Sequence, residues 1–168
     1  MKTFCFNTIT TALLLSIFGC TSRETSQLTQ NQEDQIKKEI TEVFDSIMAR
    51  LERMDVEGAL LYYSPNFVAF GSEGVKIDFQ ELKKYYIDFY SSSTSYKWTS
   101  YSFNFIAINK KTVVITTDGK NEAIMKSGEK FIYDPSHYTF AFENTNGQWK
   151  LFYHHFSGTY VSEKSGNN

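Results

Sequence analysis

Residues 96–161 alternate apolar and polar side chains with a period of two, interrupted near Asn109-Lys110-Lys111, at Ser127-Gly128 and at Asn146-Gly147. That period belongs to strands with one buried face, and each interruption carries turn chemistry, so the segment predicts four long antiparallel strands joined by three hairpin connections. Before it the period is helical. Ile36, Ile40, Val43, Phe44, Ile47, Met48, Leu51 and Met54 recur every three or four residues, with Lys37, Lys38, Glu39, Glu42, Asp45, Arg50 and Glu52 on the other side. Asp55 is placed to cap a short second helix running through Tyr63, which Ser64-Pro65-Asn66 then breaks. Phe67-Val68-Ala69-Phe70 and the glycine-bearing residues 71–74 read as a small hairpin. Asp78 with Glu81 three residues later is a variant capping box opening a third helix, which Ser91-Ser92-Ser93 ends. This order predicts an α+β fold in which a curved antiparallel sheet of about six strands wraps around three N-terminal helices.

Side-chain faces follow from the last hairpin. Asn146-Gly147 suits the centre of a two-residue turn, setting Thr145 opposite Gln148 and pairing residues whose numbers sum to 293. Phe142 then meets Leu151, Phe140 meets Tyr153 and Tyr138 meets His155, while Glu143 meets Lys150 and Thr139 meets His154 on the other face. In this register His155 projects inward near Tyr138, Tyr153 and Ser157, and His154 projects outward. Phe152 and Phe156 fall outward beside Ala141, and rings in an exposed row predict a sheet-to-sheet dimer face. The inward parity shifts from Phe131 and Tyr133 to Tyr138 and Phe140, which predicts a bulge at Asp134-Pro135. Phe103 and Phe105 alternate with Ile106 and Ile108, so both faces of residues 96–108 look apolar.

Composition excludes several chemistries. Cys5 and Cys20 are the only cysteines and both precede the helical region, so the domain offers no disulfide, thiol nucleophile or thiolate metal site. His154 and His155 are adjacent on a strand and point to opposite faces, so they cannot chelate one metal; neither a metal nor a cofactor is expected. Seventeen Lys and Arg, less Lys2, face nineteen Asp and Glu, which makes nucleic acid an unsuitable partner. Fifteen Phe and eleven Tyr predict an aromatic, partly polar interior.

Lys2 and the apolar residues 4–18 form a charged start and a hydrophobic run too short and too polar to span a bilayer. The run ends Ile17-Phe18-Gly19-Cys20, which resembles the lipobox of bacterial lipoproteins. The resemblance implies a signal peptide over residues 1–19 and acylation of Cys20, with several chains together holding the protein on a membrane of the cell envelope, the outer more than the inner. The residues after Cys20 assign no leaflet. Residues 20–32 read as a polar tether of roughly 20 Å root-mean-square reach, residues 33–161 as the single domain, and residues 162–168 as a disordered tail.

The domain resembles the SnoaL-like branch of the nuclear transport factor 2 fold, through Leu60-Leu61-Tyr62-Tyr63-Ser64-Pro65-Asn66-Phe67-Val68, the turn at 71–74 and the closing Gly147-Gln148-Trp149-Lys150-Leu151-Phe152-Tyr153-His154-His155-Phe156-Ser157. The resemblance implies a cone with a pocket between sheet and helices, often dimeric through the outer sheet face, and it implies no particular reaction. Ketosteroid isomerases of this fold use an inward carboxylate base and a tyrosine with a protonated acid for the oxyanion, and limonene epoxide hydrolases an Asp-Arg-Asp set; neither an inward carboxylate pair nor that charged set is evident here. Tyr62, Tyr63, Trp98, Tyr138, Tyr153, His155 and Ser157 are the expected pocket residues. The expected function is non-catalytic binding of a small apolar, aromatic or sugar-like ligand or of a protein partner. The alternatives are an isomerase, cyclase or hydratase using His155 with Tyr138 or Asp134, and a structural dimerisation module. Asp118 is expected to face outward near Lys120.

Overall fold

The computed structural model describes residues 27–71 and 74–163. The signal and Cys20 lie outside the described residues. Helix α1 (Gln30–Glu52) begins three residues earlier than the pattern suggested, inside the segment read as tether. Its capping box explains the start: Thr29 Oγ1 accepts from the Gln32 backbone N–H at 3.3 Å, and Gln32 Oε1 accepts from the Thr29 N–H at 3.0 Å. Ile36, Ile40, Phe44, Ile47 and Leu51 form its buried stripe. Helix α2 (Val56–Leu60) is capped by Asp55, whose carboxylate accepts from the Gly58 N–H at 2.9 Å. The helix stops at Leu60, short of Tyr63, because Tyr63 already belongs to strand β1 (Tyr63–Phe70). Ser64-Pro65-Asn66 is therefore strand, and it avoids a conflict with proline because it lies on the irregular part of the β1 ladder.

Strand β2 (Lys76–Asp78) completes the expected small hairpin with β1. Asp78 Oδ1 then accepts from the Gln80 and Glu81 N–H groups at 2.8 and 3.0 Å, and Glu81 returns a bond to the Asp78 N–H, starting α3 (Phe79–Ser92). Four long strands follow: β3 (Ser93–Ile108), β4 (Thr112–Met125), β5 (Lys130–Thr145) and β6 (Gln148–Glu163). The six strands lie in the order β2-β1-β6-β5-β4-β3. The sheet is mixed rather than wholly antiparallel, since β1 runs parallel to β6. The helices pack on its inner face, where Phe44 of α1 meets Phe103 and Phe140 edge-on at 5.1 and 5.3 Å. None of the described helices is long and apolar enough to cross a membrane.

The Asn146-Gly147 turn has positive φ at both centres, 54° and 83°, the backbone of a primed hairpin turn. Pairing sums to 293 from Thr145↔Gln148 through Phe142↔Leu151, as the sequence predicted. There it changes. A bulge places Phe152 as an extra residue on β6, so Ala141 meets Tyr153, Phe140 meets His154, Thr139 meets His155 and Tyr138 meets Phe156. A second bulge, the one expected at Asp134-Pro135, adds residues to β5 and restores the earlier offset at Tyr133↔Tyr160. Between the two bulges every β6 side chain lies on the face opposite to the one expected. His154, 9% exposed, is inward, and His155 is exposed on the outer face. Strand β3 resolves its ambiguity in the same way: a bulge between Phe105 and Ala107 lets Phe103, Phe105 and Ile108 all pack on the core, while Ile106 stands 62% exposed.

The Phe152 bulge makes a direct prediction. Deleting Phe152 would turn residues 153–158 to the wrong face, and urea unfolding followed by circular dichroism should show a loss above roughly 4 kcal/mol or no cooperative transition. Phe152→Ala keeps the backbone count and should cost less than about 2 kcal/mol. Equal losses for both variants would refute a structural role for the extra residue.

Candidate functional site

A cavity of about 470 Å³ lies between α3 and the sheet, at the end of the domain carrying the β4–β5 turn. The floor comes from strand alternation. On β4 the odd-numbered residues Val113, Ile115, Thr117, Gly119, Asn121 and Ala123 are buried, and the last two reach the cavity. Phe131, Tyr133 and Tyr138 of β5 and His154 and Phe156 of β6 extend the floor. The wall is α3, whose helical spacing aligns Leu82, Tyr86, Phe89 and Tyr90, with the exposed Tyr85 and Val75 at the rim. A smaller void of about 30 Å³ lies behind this floor against Met48, Leu51, Tyr63 and Trp98, and Tyr138 and His154 border both spaces.

Tyr138 is held from three sides. Its ring stacks on Phe140 (centroids 5.2 Å apart, planes at 7°), meets Phe156 at 4.8 Å and takes Trp98 edge-on at 5.4 Å. Asn121 Nδ2 donates to its hydroxyl oxygen at 2.7 Å. The apolar surroundings raise the Tyr138 pKa well above the ordinary value of 10, so the phenol keeps its proton. Tyr63 and Tyr86 share a hydrogen bond at 3.2 Å, and burial pushes the Tyr63 hydroxyl up to about 12.

His154 is gripped by Phe67, Phe140 and Tyr138 at ring distances of 5.2, 5.9 and 6.1 Å. Burial lowers its pKa to about 4, with a smaller contribution from the adjacent His155, so the ring is neutral near pH 7. Its Nδ1 is buried without a hydrogen-bond partner among the described residues. The one charged side chain among the described lining residues is Glu122, which is paired with Lys120 at 3.2 Å and Lys130 at 3.5 Å. No group of three or more His, Cys, Asp or Glu suited to a metal occurs among the described residues.

The expected site residues divide accordingly. Tyr138 borders the cavity, and Tyr63 and Trp98 border the void behind it. Tyr62 instead lies outside beside Arg50, at 5.9 Å from guanidinium to ring centroid. Tyr153, His155 and Ser157 take the outer face because of the Phe152 bulge, where Tyr153 packs on Phe70 at 6.2 Å and Ser157 sits opposite His137. The same offset removes Phe156 from the expected dimer face and puts it in the cavity, while Ala141 and Phe152 stay outside it. Asp134 accepts from the exposed Tyr101 hydroxyl at 3.3 Å and does not line the cavity. Asp118 faces outward as expected, but its partners are Ser102 Oγ and His137 Nδ1, both at 2.6 Å, rather than Lys120. These bonds hold its carboxyl below the usual range. Asn121, Tyr90, Tyr96, Phe156 and His154 are among the site residues that the sequence reading missed. Asn121 is a polar side chain at an inward position of β4, and that alternation was its available signal.

A SnoaL-like domain profile matches residues 40–161. The chain belongs to the SnoaL-like family. Solved structures with the same fold include a candidate scytalone dehydratase from Novosphingobium aromaticivorans, at 8% identity over 81% of this chain and 93% of that one (TM-score 0.71). A nuclear transport factor 2-like protein from Salmonella enterica serovar Typhimurium matches at 15% identity over 80% and 96% (TM-score 0.65). A hexachlorocyclohexane dehydrochlorinase matches at 7% over 78% and 90% (TM-score 0.64). No curated protein matches the sequence. At these identities the likeness establishes the SnoaL-like fold and leaves the chemistry to this chain's own residues.

The buried His154 makes stability depend on pH. Its native pKa, about 4, lies below the unfolded value of 6.5, so the unfolded chain binds the proton more readily. The contribution is complete above pH 6.5 and is lost as pH falls toward 4. Between pH 7.5 and 4.5 the wild type should lose roughly 2–3 kcal/mol more than His154→Leu does, measured by urea unfolding. Parallel pH profiles for the two proteins would show that His154 is not desolvated in the fold.

Proposed function

We infer that this domain binds a small, uncharged, ring-shaped molecule without transforming it, and that acylation of Cys20 keeps it on the cell envelope while it does so. The observation that carries the binding reading is the lining of the 470 Å³ cavity: aromatic walls, a neutral polar group formed by Asn121, Tyr138 and His154, and, among the described residues, a single charged side chain already matched by two lysines. Such a lining favours flat apolar ligands with a few polar atoms, and it penalises a net charge, which would be stripped of water without a counter-ion. The lipobox-like Ile17-Phe18-Gly19-Cys20 supports the anchoring.

A second reading has one specific observation in its favour. His154 is neutral, borders the cavity and neighbours the protonated Tyr138, a pairing able to remove a proton and donate another in an elimination or isomerisation. The similar fold of a dehydrochlorinase is consistent with it. Turnover of a ring substrate that disappears in His154→Gln, with binding retained, would move the assignment to this enzyme.

The binding reading is tested with 2-acetylnaphthalene, followed through the fluorescence of Trp98 beside Tyr138. Saturable binding in the micromolar range is expected, with the anion 2-naphthoate at least about tenfold weaker at pH 7. Ala123→Phe fills the cavity floor and should weaken binding by about tenfold or more while thermal unfolding remains cooperative. Binding unchanged in that variant would place the ligand elsewhere.

A further inference from the structure

The outer face of the sheet carries a line of four polar side chains. Ser102 lies opposite Asp118, Asp118 opposite His137, and His137 opposite Ser157, on successive strands from β3 to β6. The offset opened by Phe152 completes the line, because the register of the β5–β6 turn alone would set Phe156 opposite His137. Ser102 Oγ donates to Asp118 Oδ2 at 2.6 Å and accepts from the Asp118 backbone N–H at 3.1 Å, so this hydroxyl is committed. Asp118 Oδ1 lies 2.6 Å from His137 Nδ1. The carboxyl is held ionised and can only accept, so Nδ1 carries the proton and Nε2 is left as a basic lone pair on the side away from β4. The His137 side chain is half exposed, and neither Nε2 nor Ser157 Oγ is engaged in a hydrogen bond among the described residues.

We propose that Ser157 is a nucleophile activated by His137 and Asp118, and that this outer face takes short acyl groups from aryl esters. The site goes beyond the cavity and does not depend on what the cavity binds. Residues directly opposite in an antiparallel pair have Cβ atoms about 4.5–5.5 Å apart, a gap that a hydroxyl and an imidazole close by rotation of the serine side chain. Ser157 Oγ attacks the ester carbonyl carbon while its proton passes to His137 Nε2. The carbon–oxygen bond to the aryl group breaks, and the departing phenoxide takes that proton. Water, deprotonated by the same Nε2, then hydrolyses the acyl-serine to the free acid and restores the hydroxyl. Asp118 stays ionised throughout and is a positioning residue, holding the imidazole in the reactive tautomer. On an open sheet face water meets the oxyanion, so the ester needs a good leaving group. The exposed Tyr101, next to Ser102 and bonded through its hydroxyl to Asp134 at 3.3 Å, offers a ring for the aryl group to lie on.

The test uses 4-nitrophenyl acetate on the purified full chain, with acid quenching and mass-spectrometric mapping of acetylated peptides before and after hydroxylamine, which removes esters and spares amides. A hydroxylamine-labile acetyl group on Ser157 is expected, formed as 4-nitrophenolate is released. His137→Ala should slow its formation by about a hundredfold or more, and added imidazole should restore part of the rate, a response that a purely structural role would not give. Asp118→Asn should slow it about tenfold or more, with recovery in Asp118→Glu. Circular dichroism confirms that each variant is folded. Acetylation confined to amino groups or to His137, or Ser157 acetylated at the wild-type rate in His137→Ala, overturns the assignment.

Discussion

The inner surface of this domain depends on an offset of one residue between β5 and β6. Phe152 opens the offset and the bulge at Asp134-Pro135 closes it. Because side chains alternate strictly along a strand, one extra residue exchanges the two faces of everything up to the compensating bulge. The offset buries His154 and Phe156 beside Tyr138 and leaves Tyr153, His155 and Ser157 on the outer face. Cavity composition and outer-face composition are thus set by the same backbone irregularity.

Around that floor the protein has kept polarity but nearly excluded charge. The described lining side chains include the phenols of Tyr86, Tyr90, Tyr96 and Tyr138, the amide of Asn121 and the imidazole of His154. Burial raises the phenols and lowers the imidazole, so all of them are uncharged near neutrality. Apart from Glu122 with its two lysines, ionisable pairs lie away from the cavity, as with Asp118 and His137 on the outer face or Arg50 and Asp55 at the end of α1. A site arranged this way distinguishes ligands by shape and by the direction of hydrogen bonds more than by long-range attraction.

Local chemistry was legible wherever a few neighbouring residues decide the outcome. Asp55, Asp78 with Glu81, and Asn146-Gly147 each act within one turn of chain, and each does in the structure what the sequence indicated. The bulge at Asp134-Pro135 was legible because apolar parity changes across it. The same test applied to β6 gives Trp149 and Leu151 on odd positions and Phe156 on an even one, a change that a single register rule carried from the turn overlooked. Extending that rule past Leu151 reversed both histidines. The parallel pairing of β1 with β6 had no local signal, since it joins segments separated by most of the domain. The early start of α1 was hidden by the polarity of residues 30–32, whose role is capping and solvation rather than burial.

The outermost strand carries a protection of its own. β3 is sixteen residues long and forms one edge of the sheet, and a flat edge of that length would offer a continuous template to a neighbouring chain. Its ladder shifts near Ser95, Tyr101 and Ile106, and the last two stand 55% and 62% exposed. These irregularities divide the edge into short pieces, each too brief to hold a foreign strand in register. The domain can therefore carry long, tyrosine-rich strands without joining edge to edge.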